Sequence, residues 1–433
     1  PSSTTPSPAA PVEPEASVEP THADPATTNA VAAPRASAGY SSTPLGFHAI
    51  RSSSHVARLP ASQAAELMHR RAHLGVDKLR ALPNTTADAP KVLASAPAAP
   101  PCTSCAMAQI KRTSHSGTLS APAPEPGQLH YDLKELVLSF NGYRYVVFLI
   151  DELTRHVFFD FIAKKSEAGA AVVRCIAAFN ATVGVAIDSE GKPLPRPRVR
   201  LVHGDREGRL MSRAFREFRS SLPNDASFHP TPSPPHDHDL NPIAERIIGL
   251  ISDVAASVKI HANAPTGLWP WIIAYAVDWH NATVSSVGSS PADANITPHQ
   301  RFTLRPPQVM DLATFGCLAV VRKPPQHEHK PSLSGRGWAG AFLGRSRNSK
   351  GSYDVWVDGR AVTSSSVVVN EEYFPWAPPA DRHRPLLSKS HAPSLPSAAP
   401  LSGELASASS DVSAPATFAS SDVEALNLFS GPY

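Results

Sequence analysis

Residues 128–163 read QLHYDLKELVLSFNGYRYVVFLIDELTRHVFFDFIA, and they decide the fold class. Residues 128–134 have a short β pattern. Asn141-Gly142 is a strong hairpin turn signal. Residues 143–150 are apolar, aromatic and β-branched, as a buried strand requires. Asp151-Glu152-Leu153-Thr154-Arg155 predicts a turn, and residues 156–163 a third strand. Downstream, the spacing predicts a helix over 166–183, with Ala171, Cys175, Ala178 and Phe179 on one side. Pro193, Pro195 and Pro197 mark a loop before a fourth strand over 198–203. Met211, Phe215, Phe218 and Leu222 recur at helical spacing over 211–222. Three strands, a helix, a strand and a helix predict a mixed α/β sheet flanked by helices.

Further along, Pro230 to Pro235 read as a second loop. Asn241 is a good N-cap and Pro242 suits the first helical position. Ile243, Ile247, Leu250, Ile251, Val254 and Val258 form the expected buried stripe of the helix that follows. Glu245 lies about 200° around the helix from Ile243, so it faces a cleft or solvent. Residues 268–280 predict another helix, whose Trp and Tyr residues are expected in the core. The block 312–375 carries short strands at 315–321, 338–344, 353–357 and 366–369, with Gly turns between them, and predicts a small β-barrel. Upstream, 61–80 reads as a helix and 121–127 as a Pro-rich linker.

Composition marks the ends of the folded part. The chain has 433 residues with 45 Pro and 23 Gly. Residues 1–60 and 377–433 are rich in Pro, Ala, Ser and Thr without apolar periodicity. Such segments cannot offset their ordering entropy by burial, so both are expected to be disordered tails. Apolar runs such as Val146 to Ile150 are too short to span a bilayer, and no signal peptide is visible. An intracellular protein is the expectation. A start at Pro1 rather than Met suggests a fragment or a processed product. With four Cys, only Cys102 and Cys105 of them close together, the chain has no secreted disulfide framework. The net charge of +3 says little, but eight Arg against three acids between Arg196 and Arg219 suit a polyanionic partner.

Three acids stand where chemistry on phosphodiesters needs them. Asp132 lies in the first strand, Asp205 closes the fourth, and Glu245 lies in the first turns of a helix. Two strand ends and a helix can converge on one point that holds two divalent cations, Mg²⁺ or Mn²⁺. Three ordinary surface acids are the bland alternative. Asp151 reads as a turn residue, Asp160 as a solvent-side strand residue, and Asp237 and Asp239 as loop decoration. A second constellation is His69-x3-His73 with Cys102-x2-Cys105. Two His on one helix face and a Cys knuckle can complete a tetrahedral Zn²⁺ shell. A decayed module with unliganded side chains is its alternative.

In these words the chain resembles the integrase region of Ty1/copia-type retrotransposon polyproteins. Gly142-Tyr143-Arg144-Tyr145 through Asp151-Glu152-Leu153-Thr154-Arg155, Lys164-Lys165-Ser166-Glu167 and Asn241-Pro242-Ile243-Ala244-Glu245-Arg246 carry the resemblance. So do Trp269 through Ala276, Asn281, Ser290-Pro291, Phe315-Gly316-Cys317, Phe342-Leu343-Gly344 and Lys350-Gly351, all in family order. His69, His73, Cys102 and Cys105 resemble the family's zinc-binding pre-integrase module. The resemblance covers about residues 66–375. It implies an RNase H-like catalytic domain over 125–295 and a pre-integrase module over 61–120. An SH3-like barrel over 310–376 follows. It also implies a metal triad at Asp132, Asp205 and Glu245. The activity implied is cleavage and joining of DNA, on element ends and target, in the nucleus and as a homo-oligomer.

The sequence departs from the family at three places. Asp205 is followed by Arg206-Glu207-Gly208-Arg209-Leu210 rather than Asn-Gly-x-Glu-Phe. Pro242 replaces a Gly, and Lys134-Glu135 stand where Gly-Pro is usual. A catalytically degenerate or co-opted nucleic-acid-binding protein of the same fold is therefore the second expectation. An RNase H-type nuclease, which needs neither zinc module nor barrel, is the third.

Overall fold

In the computed structural model the residues described are 48–50, 53–97, 102–108, 126–204, 217, 220, 229–232, 242–284, 295–323 and 336–386. The Arg-rich helix expected over 211–222, Asp205, and the ends 1–47 and 387–433 lie outside the described residues, apart from isolated positions.

The quoted stretch forms strands β2 (Gln128–Glu135), β3 (Tyr145–Asp151) and β4 (Val157–Ile162), paired antiparallel in sequence order. Strand β5 (Leu201–Gly204) then joins β2 in parallel, and β6 (His229–Pro232) joins β5 in parallel. The five strands run β4-β3-β2-β5-β6 across the sheet. Antiparallel on one side of β2 and parallel on the other, this is the RNase H-like order. The Asp151 carboxylate closes the turn after β3. It is fully buried and accepts hydrogen bonds from the Gly127 N–H and from the Thr154 N–H and hydroxyl. Burial raises its pKa, opposed by those same bonds.

Strand alternation divides the sheet's two faces. Leu129, Tyr131, Val147 and Leu149 pack on helix α5 (Ala168–Thr182) through Ala171, Val172, Cys175, Ile176 and Phe179. Val146, Phe148 and Ile150 point the other way, toward α6 (Pro242–Ala262) and α7 (Trp269–Ala282). On α6, Ile247, Ile251 and Val258 are buried as the stripe predicts, and Glu245 is exposed. Trp269, Tyr275 and Trp279 of α7 are core residues. Each fully buried large apolar side chain here contributes roughly 1.5–3 kcal/mol.

The second core does not stop at α7. It continues into the N-terminal helices α2 (Ala61–Ala72) and α3 (Val76–Thr85), and into a second sheet. That sheet is antiparallel and six-stranded: β1 (His48–Ala49), β11 (Val367–Asn370), β7 (Leu318–Arg322), β8 (Gly337–Arg345), β9 (Tyr353–Val357) and β10 (Arg360–Ser364), in that order. The N-terminal helices, the mixed sheet and the C-terminal sheet therefore share one hydrophobic core. The Tyr275 hydroxyl lies 2.7 Å from the Arg71 carbonyl and 2.9 Å from that of Ala313, touching both neighbours of α7. Gly316 shows how close the approach is: a Cβ there would sit 2.5 Å from that of Ala262, and its φ is +77°.

Three expectations need correction. Residues 1–60 are not without structure throughout, because His48–Ala49 pairs with Val368–Val369 and Ser53–Arg58 is a helix, α1. Backbone pairing of two residues leaves no trace in composition. The C-terminal strands form the expected antiparallel series among the described residues, and a strand from outside the block supplies one end of it. The helix expected over 61–80 breaks at His73, whose φ is 52°, and α3 starts after Gly75. The Pro230–Pro235 loop begins as strand β6. Proline survives there because β6 ends the sheet order, where a missing N–H need not break a ladder.

Two histidines make this core acid-sensitive. Burial pushes His156 well below its ordinary 6.5, helped by nearby His299 and His280. Burial also takes His280 down to about 4, against the hydrogen bond from its Nε2–H to the Arg155 carbonyl. Below pH 6.5 the unfolded chain takes up protons that the folded chain refuses. Stability is thus present above pH 6.5 and is lost as pH falls toward 4. Urea unfolding at pH 5 is expected to show about 2 kcal/mol less stability than at pH 7 for each of these histidines, about 4 kcal/mol together. Equal stabilities at the two pH values would contradict these assignments.

Candidate functional site

The sequence-predicted residues fall in two places. The first lies on the α6 face of the mixed sheet. Leu129, Tyr131 and Leu133 point to the α5 side, so His130, Asp132 and Lys134 point to the other. Asp132 is half-buried. Its Oδ1 accepts from the Leu133 N–H at 2.7 Å, and its Oδ2 lies 3.0 Å from Lys134 Nζ. Lys134 thus supplies the positive charge nearest this carboxylate among the described residues. Helix α6, which carries exposed Glu245 in its first turn, packs across β2. Asp205 follows the last residue of β5 and lies outside the described residues.

One row below Asp132, two histidines that sequence reasoning passed over stand side by side. His130 and His203 are register partners on the parallel strands β2 and β5, with rings stacked 5.2 Å apart. His130 Nε2 lies 3.4 Å from Glu152 Oε2. Burial lowers the pKa of His203, as does His130, while Glu152 opposes the shift. The signal was in the sequence: His130-Tyr131-Asp132 and His203-Gly204-Asp205 share one spacing. On parallel strands the same spacing marks the same face at the same height.

The second place gathers His69, His73, Cys102 and Cys105, whose four ligating atoms all lie within 4.8 Å of one another. His69 lies in the last turn of α2. His73 caps that helix in the left-handed conformation, so the two imidazoles do not simply share a helix face. The turn swings the His73 ring back onto the cluster. Cys102 precedes α4 (Thr103–Ala108) and Cys105 lies in it. His73 Nδ1 is 3.3 Å from Cys105 Sγ and 3.5 Å from Cys102 Sγ, and His69 Nε2 is 3.6 Å from Cys105 Sγ. A tetrahedral shell with metal–ligand bonds of 2.0–2.3 Å has edges of about 3.3–3.8 Å. The contacts thus have the spacing of such a shell.

The chemistry of the four donors fits a metal as well. The His69 Nδ1–H donates to the Leu74 carbonyl at 2.8 Å, which fixes the tautomer and turns the Nε2 lone pair toward the cluster. The Cys102 thiol is pushed far down, first by a hydrogen bond from the Cys105 thiol, then by His69 and His73. Cys105 is raised in turn by Cys102. Burial pulls both imidazoles down. In His69 the contacts with Cys102 and Leu74 outweigh it and the pKa rises, whereas the deeper His73 stays lowered. A thiol whose pKa is drawn down beside imidazole lone pairs suits a metal cation, which binds thiolate and neutral imidazole. The cluster rests on α6: α4 packs against that helix, and the His261 ring stands 5.2 Å from the His73 ring.

A third feature had no sequence signal. Arg71 of α2 and Glu371, just beyond β11, form an ion pair of 2.6 Å with both side chains 2 % exposed. The Thr314 N–H and hydroxyl also donate to Glu371 Oε1 at 2.7 Å.

Among the described residues, no helix is long and apolar enough to cross a membrane. No family model matches the chain. Over 242 residues, 56% of its length, the chain is 26% identical to the "Retrovirus-related Pol polyprotein from transposon RE2" of Arabidopsis thaliana. That match spans 15% of the relative, so this chain corresponds to a small part of it. Among solved structures, the catalytic core domain of BIV integrase is 12% identical, with a TM-score of 0.29, over 41% of this chain and 93% of that one. The HTLV-2 integrase catalytic core domain in complex with magnesium is 17% identical, with a TM-score of 0.28, over 41% and 97%. The chain is similar, over a little more than half its length, to part of a retrotransposon polyprotein.

Proposed function

We propose that this chain is an integrase of the Ty1/copia retrotransposon type, which cleaves and joins DNA ends with Mg²⁺ or Mn²⁺ at Asp132, Asp205 and Glu245. The observation that carries this reading is the register of His130 with His203. Asp132 follows His130 by two residues on β2, and in the sequence Asp205 follows His203 by the same spacing, while helix α6 with Glu245 packs against β2. When bound, a pair of divalent cations supplies Lewis acids for the attacking and leaving oxygens of a phosphodiester. The carboxylates hold that pair, and α6 brings the third of them over the strand ends. The DNA of element ends and target is the proposed substrate, a homo-oligomer the proposed working form, and the nucleus the proposed place of action. Zn²⁺ is the proposed occupant of the His69, His73, Cys102 and Cys105 cluster.

The test is a strand-transfer assay on labelled oligonucleotide duplexes. Glu245→Gln keeps the shape but removes one ligand charge, and is expected to lower joining by at least about 10³-fold, roughly 4 kcal/mol of barrier. Full activity in that variant would remove Glu245 from the site. One contact favours a second reading, a degenerate protein that still binds nucleic acid: the Lys134 ammonium beside Asp132. It neutralises the carboxylate internally, and an arriving cation must displace it. Wild type that is inert with either metal, yet binds DNA, would favour the second reading.

A further inference from the structure

On the outer edge of the mixed sheet, away from the row of acids, lies a cleft of about 980 Å³. Strand β4 and helix α5 form one wall. Helix α7, the segment around α8 (Pro298–Thr303) and the end of β8 with the turn after it form the other. The lining holds five cations, Arg174, Arg305, Arg345, Arg347 and Lys350, against the acids Asp160 and Asp278.

Internal partners account for only two of these cations. Arg174 pairs with Asp160 at 2.5 Å. Arg345 pairs with Asp311 at 2.5 Å and lies 3.8 Å from Asp278. Arg347 has no carboxylate partner among the described residues. It lies over the Phe159 ring, 4.1 Å from the centroid, and donates one N–H to the Phe159 carbonyl. Arg305 and Lys350 are exposed, and neither side chain has a hydrogen-bond or ion-pair partner among the described residues. His156 also lines the cleft and leaves its buried Nδ1 without a hydrogen-bond partner. Arg305, Arg347 and Lys350 form no ion pair among the described residues. Although Asp278 lies within electrostatic reach of Arg347, the cations outnumber the acids of this concave surface and give it a positive field.

The edge of β4 helps to identify the guest. A bare edge strand would invite another strand to pair with it. Here the edge is already satisfied: Asn281 accepts from the Val157 N–H and donates to the Val157 carbonyl, and Arg347 takes the Phe159 carbonyl. An added peptide strand would have to displace these bonds and would bring no charge to match the cations.

The geometry points to a second nucleic-acid contact, in which this cleft holds a stretch of phosphodiester backbone through Arg305, Arg347 and Lys350. It rests on the integrase reading only for the choice of DNA. Phosphate contact of this kind is sequence-independent and salt-sensitive. The cleft would hold a length of duplex that the acids do not touch. It would thereby add affinity without taking part in the chemistry.

The test uses the full chain and a random-sequence 20-base-pair duplex, read by fluorescence anisotropy over a salt series. The double variant Arg305→Ala with Lys350→Ala is expected to bind about tenfold more weakly at low salt. Its log–log salt slope should fall by nearly 2, at about 0.9 per lost phosphate contact. Both residues are exposed, so the fold should survive, which circular dichroism checks. Lys91→Ala, at an exposed cation outside both the cleft and the triad, is expected to keep the parent's affinity and slope, which separates the cleft from a general loss of charge. Loss of joining in Glu245→Gln with no change in the double variant would sink the cleft and leave the triad standing. A weakened double variant of a parent that joins no DNA would do the reverse. Binding of pyrophosphate without binding of duplex would also overturn the proposal.

Discussion

Glu371→Ala is expected to cost about 3–5 kcal/mol of stability, because it leaves the Arg71 guanidinium buried without its counter-charge. The pair is almost fully enclosed. Burial alone would lower the pKa of Arg71, yet Glu371 more than restores it, so the arginine stays charged in the core. The Thr314 N–H loses its acceptor in the same variant. Replacing both partners with apolar residues of similar size should cost far less, since no charge is then stranded. Urea unfolding of the two single variants and the double variant measures the difference. A single-variant loss below about 1 kcal/mol would mean that water reaches Arg71, contrary to the burial described.

Metal binding should have the other large effect. Zinc at a concentration 1,000 times its dissociation constant stabilises a folded site by about 4 kcal/mol. The ligands here hang on α2 and α4 and lean on α6, so stabilisation is expected to reach the Glu245 helix. A chelator should lower the melting midpoint and speed amide exchange along α6, and added zinc should reverse both. The paired change Cys102→Ser and Cys105→Ser should abolish the response to zinc. A midpoint indifferent to both chelator and zinc would identify the cluster as a decayed site.

The hydrophobic grammar of the chain carried much of this structure. Alternation in 128–163 placed three strands within two residues, and Asn241-Pro242 with the Ile and Val stripe placed α6. The carboxyl groups, the histidines and the cysteines were legible as residue types. What alternation cannot show is pairing between distant segments. The two-residue strand β1 has no composition of its own. Strand β6 reads as a loop because Pro230 and Pro232 are judged by local preference, while the edge of a sheet tolerates them. The sharing of one core among three expected domains was hidden for the same reason: each amphipathic face looks alike whatever covers it. The Arg71–Glu371 pair had no local sign because its partners lie 300 positions apart.

That separation has a consequence for biosynthesis. A ribosome adding about 5–20 residues per second needs roughly 15–60 s to travel from Arg71 to Glu371. Throughout that interval the nascent α2 displays Ala64, Leu67 and Met68 with no second sheet to cover them. The guanidinium of Arg71 has no counter-charge until Glu371 arrives and closes the pair. The chain is therefore expected to depend on chaperones during translation, and to finish folding only once its last strand has left the exit tunnel.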